Sequence, residues 1–150
     1  MALGPFVLVD NAIEQIANGT INLTTDTFRA VLVTAAHTAD PADETWADIS
    51  ANEASGSGYT GDGIDISPLV VSRTGGTTKV DSATNPSWDP ATVSGKYIYL
   101  VRESGTGLVS GDLILGYRDL NTGGGNLSAV GDEFTVEWPV DGIFTLSRAA

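Results

Sequence analysis

The stretch 133–138 reads EFTVEW and shows most directly how this chain folds. Its apolar side chains alternate with polar ones, in the order Glu133, Phe134, Thr135, Val136, Glu137 and Trp138. Strict alternation predicts a strand with one buried and one solvated face. Residues 139–142 (PVDG) then predict a turn into 143–147 (IFTLS), whose apolar side chains can rejoin the core. The C-terminal part of the chain is therefore expected to consist of strands.

Upstream of this stretch, five more segments have the composition of β-strands. They are 112–119 (DLILGYRD), 96–103 (KYIYLVRE), 77–82 (TTKVDS), 69–74 (LVVSRT) and 27–34 (TFRAVLVT). The segment 27–34 is apolar on both faces and rich in β-branched residues, which is typical of a central strand. Gly75 and Gly76 lie between two of the segments and predict a two-residue hairpin turn.

Two short helices are expected among the strands. The first is predicted to have Asp10 as its N-cap and Gly19 as its C-cap. Its apolar residues recur at helical spacing: Ile13, Ile16 and Ala17. A second helical turn is predicted to begin at Pro41, because Asp40 precedes the proline and acidic residues follow it.

These elements together predict a mainly β fold with a short N-terminal helix. Ser, Thr, Gly, Asp and Asn make up 67 of the 150 residues, which excludes an all-helical fold. Strands separated by short turns favour an antiparallel β-sandwich or a jelly-roll-like arrangement. We expect one such domain over residues 10–150, because no linker or repeat interrupts the chain. Residues 1–9 (MALGPFVLV) are predicted to form an apolar arm without a partner inside the domain.

The charge of the chain limits its possible partners. It has 19 acidic and 7 basic residues, a formal net charge of −12. Nucleic acids and anionic lipids both attract Lys and Arg, so we expect neither as a partner. The absence of cysteine excludes disulfides, thiolate catalysis and cysteine zinc sites. No apolar run approaches the ~20 residues of a membrane helix, and the start lacks the basic residues of a signal peptide, so we expect synthesis in the cytoplasm.

Motifs for catalysis or cofactor binding are weak. Residues 56–61 (GSGYTG) have the G-x-G-x-x-G spacing, but the flanking strand and helix that a phosphate site needs are not predicted. His37 is the only histidine and is expected in a loop, so no catalytic triad is indicated. Glu133 and Glu137 lie about 13 Å apart along a strand, too far to act as a catalytic pair. We therefore predict a protein that is not an enzyme and has no cofactor.

Two acidic groups are candidates for calcium. One consists of Asp62 and Asp65, and the other of Asp40, Asp43 and Glu44. Neither matches the spacing of the known calcium-binding loop, so no metal site is predicted.

Six residues are predicted to contact a partner: Leu3, Phe6, Val7, Leu8, Trp46 and Tyr59. The first four belong to the apolar arm. Trp46 and Trp88 lie in polar stretches, where a ring either covers the core or offers a contact surface. Exposed tryptophans could also stack on sugars, which leaves a carbohydrate-binding role open.

The order of several segments resembles that of small structural proteins encoded among the head genes of tailed bacteriophages. The segments that carry the resemblance are 17–23 (ANGTINL), 24–34 (TTDTFRAVLVT), 38–50 (TADPADETWADIS), 53–61 (EASGSGYTG), 115–117 (LGY), 134–138 (FTVEW) and 141–147 (DGIFTLS). Residues 5–9 and the glycine run 123–125 depart from that pattern.

The resemblance implies a capsid decoration (cement) protein, which has no catalytic site. Such a protein would bind the outer surface of the major capsid protein lattice and stabilise the head of the virion. A homotrimer on local three-fold axes would match the lattice symmetry. Two alternatives are a neck or tail accessory protein of the same virion, and a carbohydrate-binding β-sandwich module that uses Trp46 or Trp88.

Overall fold

The structure, a computed structural model, describes residues 3–149. Met1 and Ala2 of the predicted arm, and Ala150, lie outside the described residues. Strands account for 42% of the chain and helices for 10%, which confirms the mainly β class. The elements are β1 (Phe6–Leu8), α1 (Asp10–Ala17), β2 (Thr27–Val33), α2 (Trp46–Ile49), a 3-10 turn (Ser50–Asn52), β3 (Ile64–Asp65), β4 (Leu69–Thr74), β5 (Thr77–Ser82), β6 (Ser87–Gly95), β7 (Tyr97–Glu103), β8 (Ile114–Asp119), β9 (Leu127–Thr135) and β10 (Phe144–Ser147).

The described strands form three antiparallel sheets. The largest has five strands in the order β1-β8-β7-β2-β3. A second sheet has the order β10-β5-β4, and a third consists of β6 and β9. Every pairing within these sheets is antiparallel, as the short turns predicted.

The centre of the five-stranded sheet is the pair β2 and β7. The two strands pair over seven residues, from Thr27 opposite Glu103 to Val33 opposite Tyr97. Residues 30–33 of β2 and 98–101 of β7 are completely buried, so both faces of the pair are covered. This confirms the prediction that the segment 27–34 is a central strand.

The N-terminal segment belongs to the five-stranded sheet. β1 pairs antiparallel with residues 116–118 of β8. The Phe6 ring stacks on Phe144 with ring centroids 5.6 Å apart, and Val9 is completely buried. The premise that this arm has no partner inside the domain is therefore wrong for residues 6–9. The partner strand lies more than a hundred residues further along the chain, where local patterns cannot reveal the pairing.

Gly116 makes the approach of β1 to β8 possible. A Cβ atom at this position would lie 2.3 Å from the Val7 carbonyl oxygen and 2.6 Å from the Phe6 ring. Both distances are far below van der Waals contact, so a side chain there would push β1 away from the sheet.

Arg118 joins the N-terminal segment to the C-terminal part of the chain. Its Nε donates to the Gly4 carbonyl at 2.8 Å, and a second guanidinium nitrogen donates to the Glu137 carbonyl at 3.1 Å. The side chain is buried, and this burial lowers the pKa of the guanidinium. The buried cation is thus held by backbone carbonyls rather than by a carboxylate.

α1 lies where the sequence predicts it, but its caps are shifted. The helix begins at Asp10, so Val9 occupies the N-cap position and no side chain caps the helix. Asn18 is the C-cap, and Gly19 follows with a φ of +84°. The prediction of Asp10 and Gly19 as the two caps was therefore wrong by one residue at each end.

The buried face of α1 also differs from the prediction. Ala12 is buried, whereas Ile13 is 56% exposed. The N–H of Asp10 donates to the Pro41 carbonyl at 2.9 Å, which fixes the start of the helix against the following loop. This attachment turns Ala12 inward and leaves Ile13 in solvent.

The second helix begins at Trp46 rather than at Pro41. Thr45 and Asp48 form a capping box, and the Asp48 carboxylate accepts the N–H groups of Glu44 and Thr45 at 2.9 Å each. These hydrogen bonds lower the pKa of Asp48. The N–H groups of Trp46 and Ala47 donate to the carbonyls of Asp112 and Ser110 at 2.8 and 3.1 Å. These contacts and the Asp48 carboxylate determine the start of the helix more strongly than the proline does.

Most predicted strands are confirmed. β4 and β5 have the predicted ends and form a hairpin across Gly75 and Gly76. The sequence does not predict β6, because Pro90 and its polar neighbours resemble a loop. β9 covers Leu127–Thr135, so the strand predicted over 133–138 is wrong for residues 136–138. The sequence does not predict the first half of β9, in which only Ala129 is buried.

We expect Phe6→Ala to lower the free energy of unfolding by about 2 kcal/mol, because the Phe6 ring packs on Phe144 and on Trp138. Urea denaturation would measure the change. Val140→Ala is the control, since Val140 is 90% exposed and should change stability by less than about 0.5 kcal/mol. Equal stabilities of the two variants would show that β1 is not packed on the core.

Candidate functional site

An open apolar groove lies between the N-terminal segment and β9. It has a volume of about 400 Å³. Its apolar lining consists of Leu3, Leu120, Leu127, Phe134 and Val136. We call it the β9 groove. It is the candidate functional site because it combines an apolar interior with access from solvent.

Leu3 is the exposed apolar side chain of the β9 groove. It is 49% exposed, whereas Leu120, Phe134 and Val136 are buried beneath it. The exposed residues Glu133 and Glu137 also line the groove. An apolar cleft lined by two carboxylates suits a partner that offers an apolar side chain next to a Lys or Arg.

The alternation in the opening stretch builds this groove. Phe134 and Val136 are buried, and Glu133 and Glu137 are exposed, as the pattern predicted. The strand β9 ends at Thr135, and the N–H of Val136 then donates to the Pro86 carbonyl at 3.0 Å. The backbone beyond the strand is thus held in place, so the alternation continues outside the ladder.

The other predicted contact residues lie in different surroundings. Phe6, Val7 and Leu8 are half-buried in β1 and serve the sheet. Trp46 and Tyr59 are only 7% and 9% exposed. The prediction that Trp46 and Tyr59 offer a contact surface was therefore wrong, because both rings belong to the core.

The two tryptophans considered for sugar binding do not offer a free ring face. Trp88 is buried at the start of β6 and packs against Tyr59, with ring centroids 5.2 Å apart, and against Phe134 at 6.4 Å. Trp46 is the first residue of α2, and its side chain is buried. Its backbone N–H donates to the Asp112 carbonyl at 2.8 Å. Sugar stacking needs an exposed ring, so this geometry speaks against the carbohydrate-binding alternative.

The glycine motif 56–61 packs against β6. A Cβ atom on Gly56 would lie 1.9 Å from the Thr92 carbonyl oxygen, and one on Gly58 would lie 2.1 Å from that of Pro90. The N–H of Thr92 donates to the Ser57 carbonyl at 2.8 Å. The motif thus serves a close approach of two backbones, which explains Gly56 and Gly58 without a phosphate.

The phenol of Tyr59 links the glycine loop to β2. Its oxygen accepts the N–H of Leu32 at 3.0 Å, and its hydroxyl donates to Glu53 Oε1 at 2.9 Å. Burial is the main cause that raises the pKa of Tyr59, and the Glu53 carboxylate raises it further. Burial also raises the pKa of Glu53. The hydrogen bonds of Tyr59 thus hold the glycine loop against β2.

A second polar network lies around Asp43, and sequence reasoning missed it. Asp43 Oδ2 is 2.9 Å from His37 Nε2 and accepts the hydroxyl of Tyr99 at 2.7 Å. Burial, together with the neighbouring Asp43, raises the pKa of Tyr99. Asp43 and Tyr99 are buried, so the network ties the 37–43 loop to the central strand β7.

Two of the acidic residues considered for calcium bind N–H groups of the backbone next to them. Asp65 Oδ1 accepts the N–H of Ser67 at 2.7 Å, and Asp40 Oδ1 accepts that of Ala42 at 2.9 Å. Within residues 3–149, no group of three or more His, Cys, Asp or Glu side chains is arranged to hold a metal ion. Neither α1 nor α2 is long enough to cross a membrane.

No family model matches the chain, and no curated protein or solved structure is significantly similar to it. The function of the β9 groove is therefore inferred from its own geometry and chemistry.

We expect Gly58→Ala to lower the free energy of unfolding by about 2–4 kcal/mol, because Gly58 has a φ of +79° and lies against the Pro90 carbonyl. Gly61→Ala is the matched control within the same motif, since a Cβ there meets no atom within 4 Å. Thermal denaturation of both variants would measure the difference. Similar stabilities would contradict the packing role of the motif.

Alkaline pH is expected to destabilise the protein through Tyr59 and Tyr99. Their pKa values are raised in the folded state, so both phenols stay protonated there, whereas an unfolded phenol ionises near pH 10. Their contribution to stability is therefore complete below about pH 10 and is lost as the pH rises further.

Tyr99→Phe should reduce the slope of this alkaline loss by about 1.4 kcal/mol per pH unit, because one titrating group is removed. Urea denaturation of the variant and the wild type at several values between about pH 10 and pH 11.5 would measure both slopes. Identical slopes would contradict the prediction that the Tyr99 phenol stays protonated in the folded state.

Proposed function

We propose that this protein is a capsid decoration protein, which binds the outer surface of a major capsid protein lattice and stabilises the head. The observation that carries the proposal is the β9 groove, with Leu3 exposed in an apolar cleft beside Glu133 and Glu137. The resemblance of the segment order to phage head-gene proteins supplies the partner. The protein would be made in the host cytoplasm and act on the virion.

The groove would hold a capsid segment through two kinds of contact. An apolar side chain of the capsid subunit would fill the cleft beside Leu3, and a Lys or Arg next to it would meet Glu133 or Glu137. Each site would bind weakly, because one side chain buries little area. A capsid repeats the site many times, so an oligomeric decoration protein would gain strength from multivalency.

The fold suits such a role if its sheets pack as a sandwich. We propose that the β6–β9 sheet covers one face of the five-stranded sheet. A Cβ atom on Gly95 of β6 would lie 3.2 Å from the Leu32 side chain of β2, so the two sheets come into direct contact there. A sandwich of this kind buries its apolar faces and leaves the outer strands free for partners.

The proposed oligomer is a homotrimer placed on local three-fold axes of the lattice. The alternative position, at the neck or tail, predicts a different number of copies. A lattice protein would be present in hundreds of copies per particle, and a neck or tail protein in about a dozen or fewer, as expected for a ring. Quantitative gel analysis of purified virions separates the two.

We expect Leu3→Asp to reduce the number of bound copies per capsid at least about tenfold, because the new carboxylate enters a cleft already lined by Glu133 and Glu137. Capsids assembled without the protein would be incubated with the variant, washed and quantified. The heat resistance of the same particles would be measured in parallel.

Val109→Asp is the matched control, since Val109 is 55% exposed and lies outside both the groove and the strands β4, β5 and β10. It adds the same charge and should leave occupancy unchanged. Wild-type occupancy of the Leu3→Asp variant would reject the groove as the contact site. Particles equally heat-resistant with and without the wild-type protein would reject the decoration role.

A further inference from the structure

The sheet β10-β5-β4 and the adjoining Arg148 carry a charge opposite to that of the rest of the chain. Their charged side chains are Arg73, Lys79, Asp81 and Arg148, which give a formal charge of +2. Since the whole chain has a net charge of −12, the remaining residues carry −14. We call this region the basic sheet.

Two cations of the basic sheet are available to a partner. Lys79 forms an ion pair with Asp81, with Nζ 3.4 Å from Oδ2. Arg73 and Arg148 are exposed, and neither forms an ion pair within residues 3–149. Arg73 donates only to the Gly75 carbonyl at 3.1 Å, so most of its donors face solvent.

Apolar side chains accompany these cations. Val71 lies opposite Val80, which lies opposite Phe144, and all three side chains share one face of the sheet. Val80 and Phe144 belong to the core. Val71 is 40% exposed, and Leu146, which follows Phe144 on the same face of β10, is 42% exposed. The apolar face thus continues beyond the core. Arg73 also lies on this face, and arginine next to apolar side chains is typical of the centre of an interface.

A surface of complementary character lies on α1. Asp10, Ile13 and Glu14 are all exposed, and their spacing of three and four residues places them on one side of the helix. Ile13 is therefore an exposed apolar side chain between two carboxylates. The loop that holds the start of α1 adds the exposed carboxylates Asp40 and Glu44. We call Asp10, Ile13 and Glu14 the acidic helix face.

We propose that the basic sheet of one copy docks on the acidic helix face of a second copy of this chain. Arg73 and Arg148 would meet Asp10 and Glu14, and the exposed apolar side chains of the sheet would cover Ile13. The two surfaces differ, so each copy offers one of each, and the contact can close into a ring such as a trimer. The inference deepens the proposed function, since it gives the proposed oligomer its interface.

The net charge of the chain favours the proposed contact over other orientations of two copies. Two copies with a net charge of −12 repel each other in most orientations. Within residues 3–149, the cations outside the basic sheet are paired with carboxylates or buried, so Arg73 and Arg148 are the ones left to attract a second copy. Added salt screens both the attraction across the proposed contact and the repulsion between the net charges, so variants compared at one salt concentration test the pairing.

Sedimentation equilibrium of the full chain in about 0.05 M NaCl tests the proposal, since surface charges are little screened there. We expect the wild type to self-associate, and Arg73→Gln with Arg148→Gln to raise the dissociation constant at least about tenfold. A wild type that is monomeric at every concentration, or a double variant that associates equally well, would overturn the proposal.

Thr106→Glu with Val130→Glu is the matched control, because it changes the net charge by the same amount at exposed positions outside both surfaces. It should leave the dissociation constant within about threefold of the wild type. Equal weakening by the control would assign the effect to net charge and overturn the specific interface.

A charge exchange tests the pairing itself. Arg73→Glu and Glu14→Arg should each weaken self-association, and their combination should recover at least part of the loss. Losses that only add in the combined variant would overturn the pairing of these two surfaces. No capsid is present in these measurements, so their outcome is independent of whether the protein binds a capsid.

Discussion

The antiparallel pairing of β2 with β7 is the constraint on which the rest of the structure depends. Seven consecutive residue pairs join the strands, and the side chains on both faces are buried. A strand pair that is buried on both faces needs other elements of the chain to cover it. β8 and β1 extend the sheet on one side, and the Tyr59 hydroxyl and the glycine loop attach to β2 at Leu32. Loss of this pair would leave these elements without a surface to pack on.

Several buried polar side chains are paired with the backbone, whereas the indole N–H of Trp138 has no hydrogen-bond partner within residues 3–149. Arg118 donates to two carbonyls, and Tyr59 accepts a main-chain N–H. An unpaired polar group in the core would cost about 1–3 kcal/mol, so these contacts also specify where each loop must lie. The glycine loop and the N-terminal segment are positioned in this way. The hydrogen bonds of Arg118 and Tyr59 therefore fix the positions of these two segments.

The parts of the fold that the sequence reveals are those set by neighbouring residues. The alternation over 133–138 predicts correctly which of its side chains are buried, and Gly75 with Gly76 predicts the hairpin. The parts that it hides depend on partners distant in the chain. The pairing of β1 with β8, the burial of Trp46 and the outward position of Ile13 all follow from tertiary contacts. For the candidate site, the sequence identifies Leu3 but not the groove around it, because Leu120, Leu127 and Val136 meet only in the folded chain.

The position of β1 has a consequence for biosynthesis. Phe6 pairs with a residue 112 positions later, so β1 leaves the ribosome long before its partner strand exists. At about 5–20 residues per second, the apolar segment waits roughly 5–20 s in the nascent chain without a strand to join. During that interval β1 is an unpaired apolar segment, which holdase chaperones can bind. β1 therefore joins its sheet only after the other four strands of that sheet have been made.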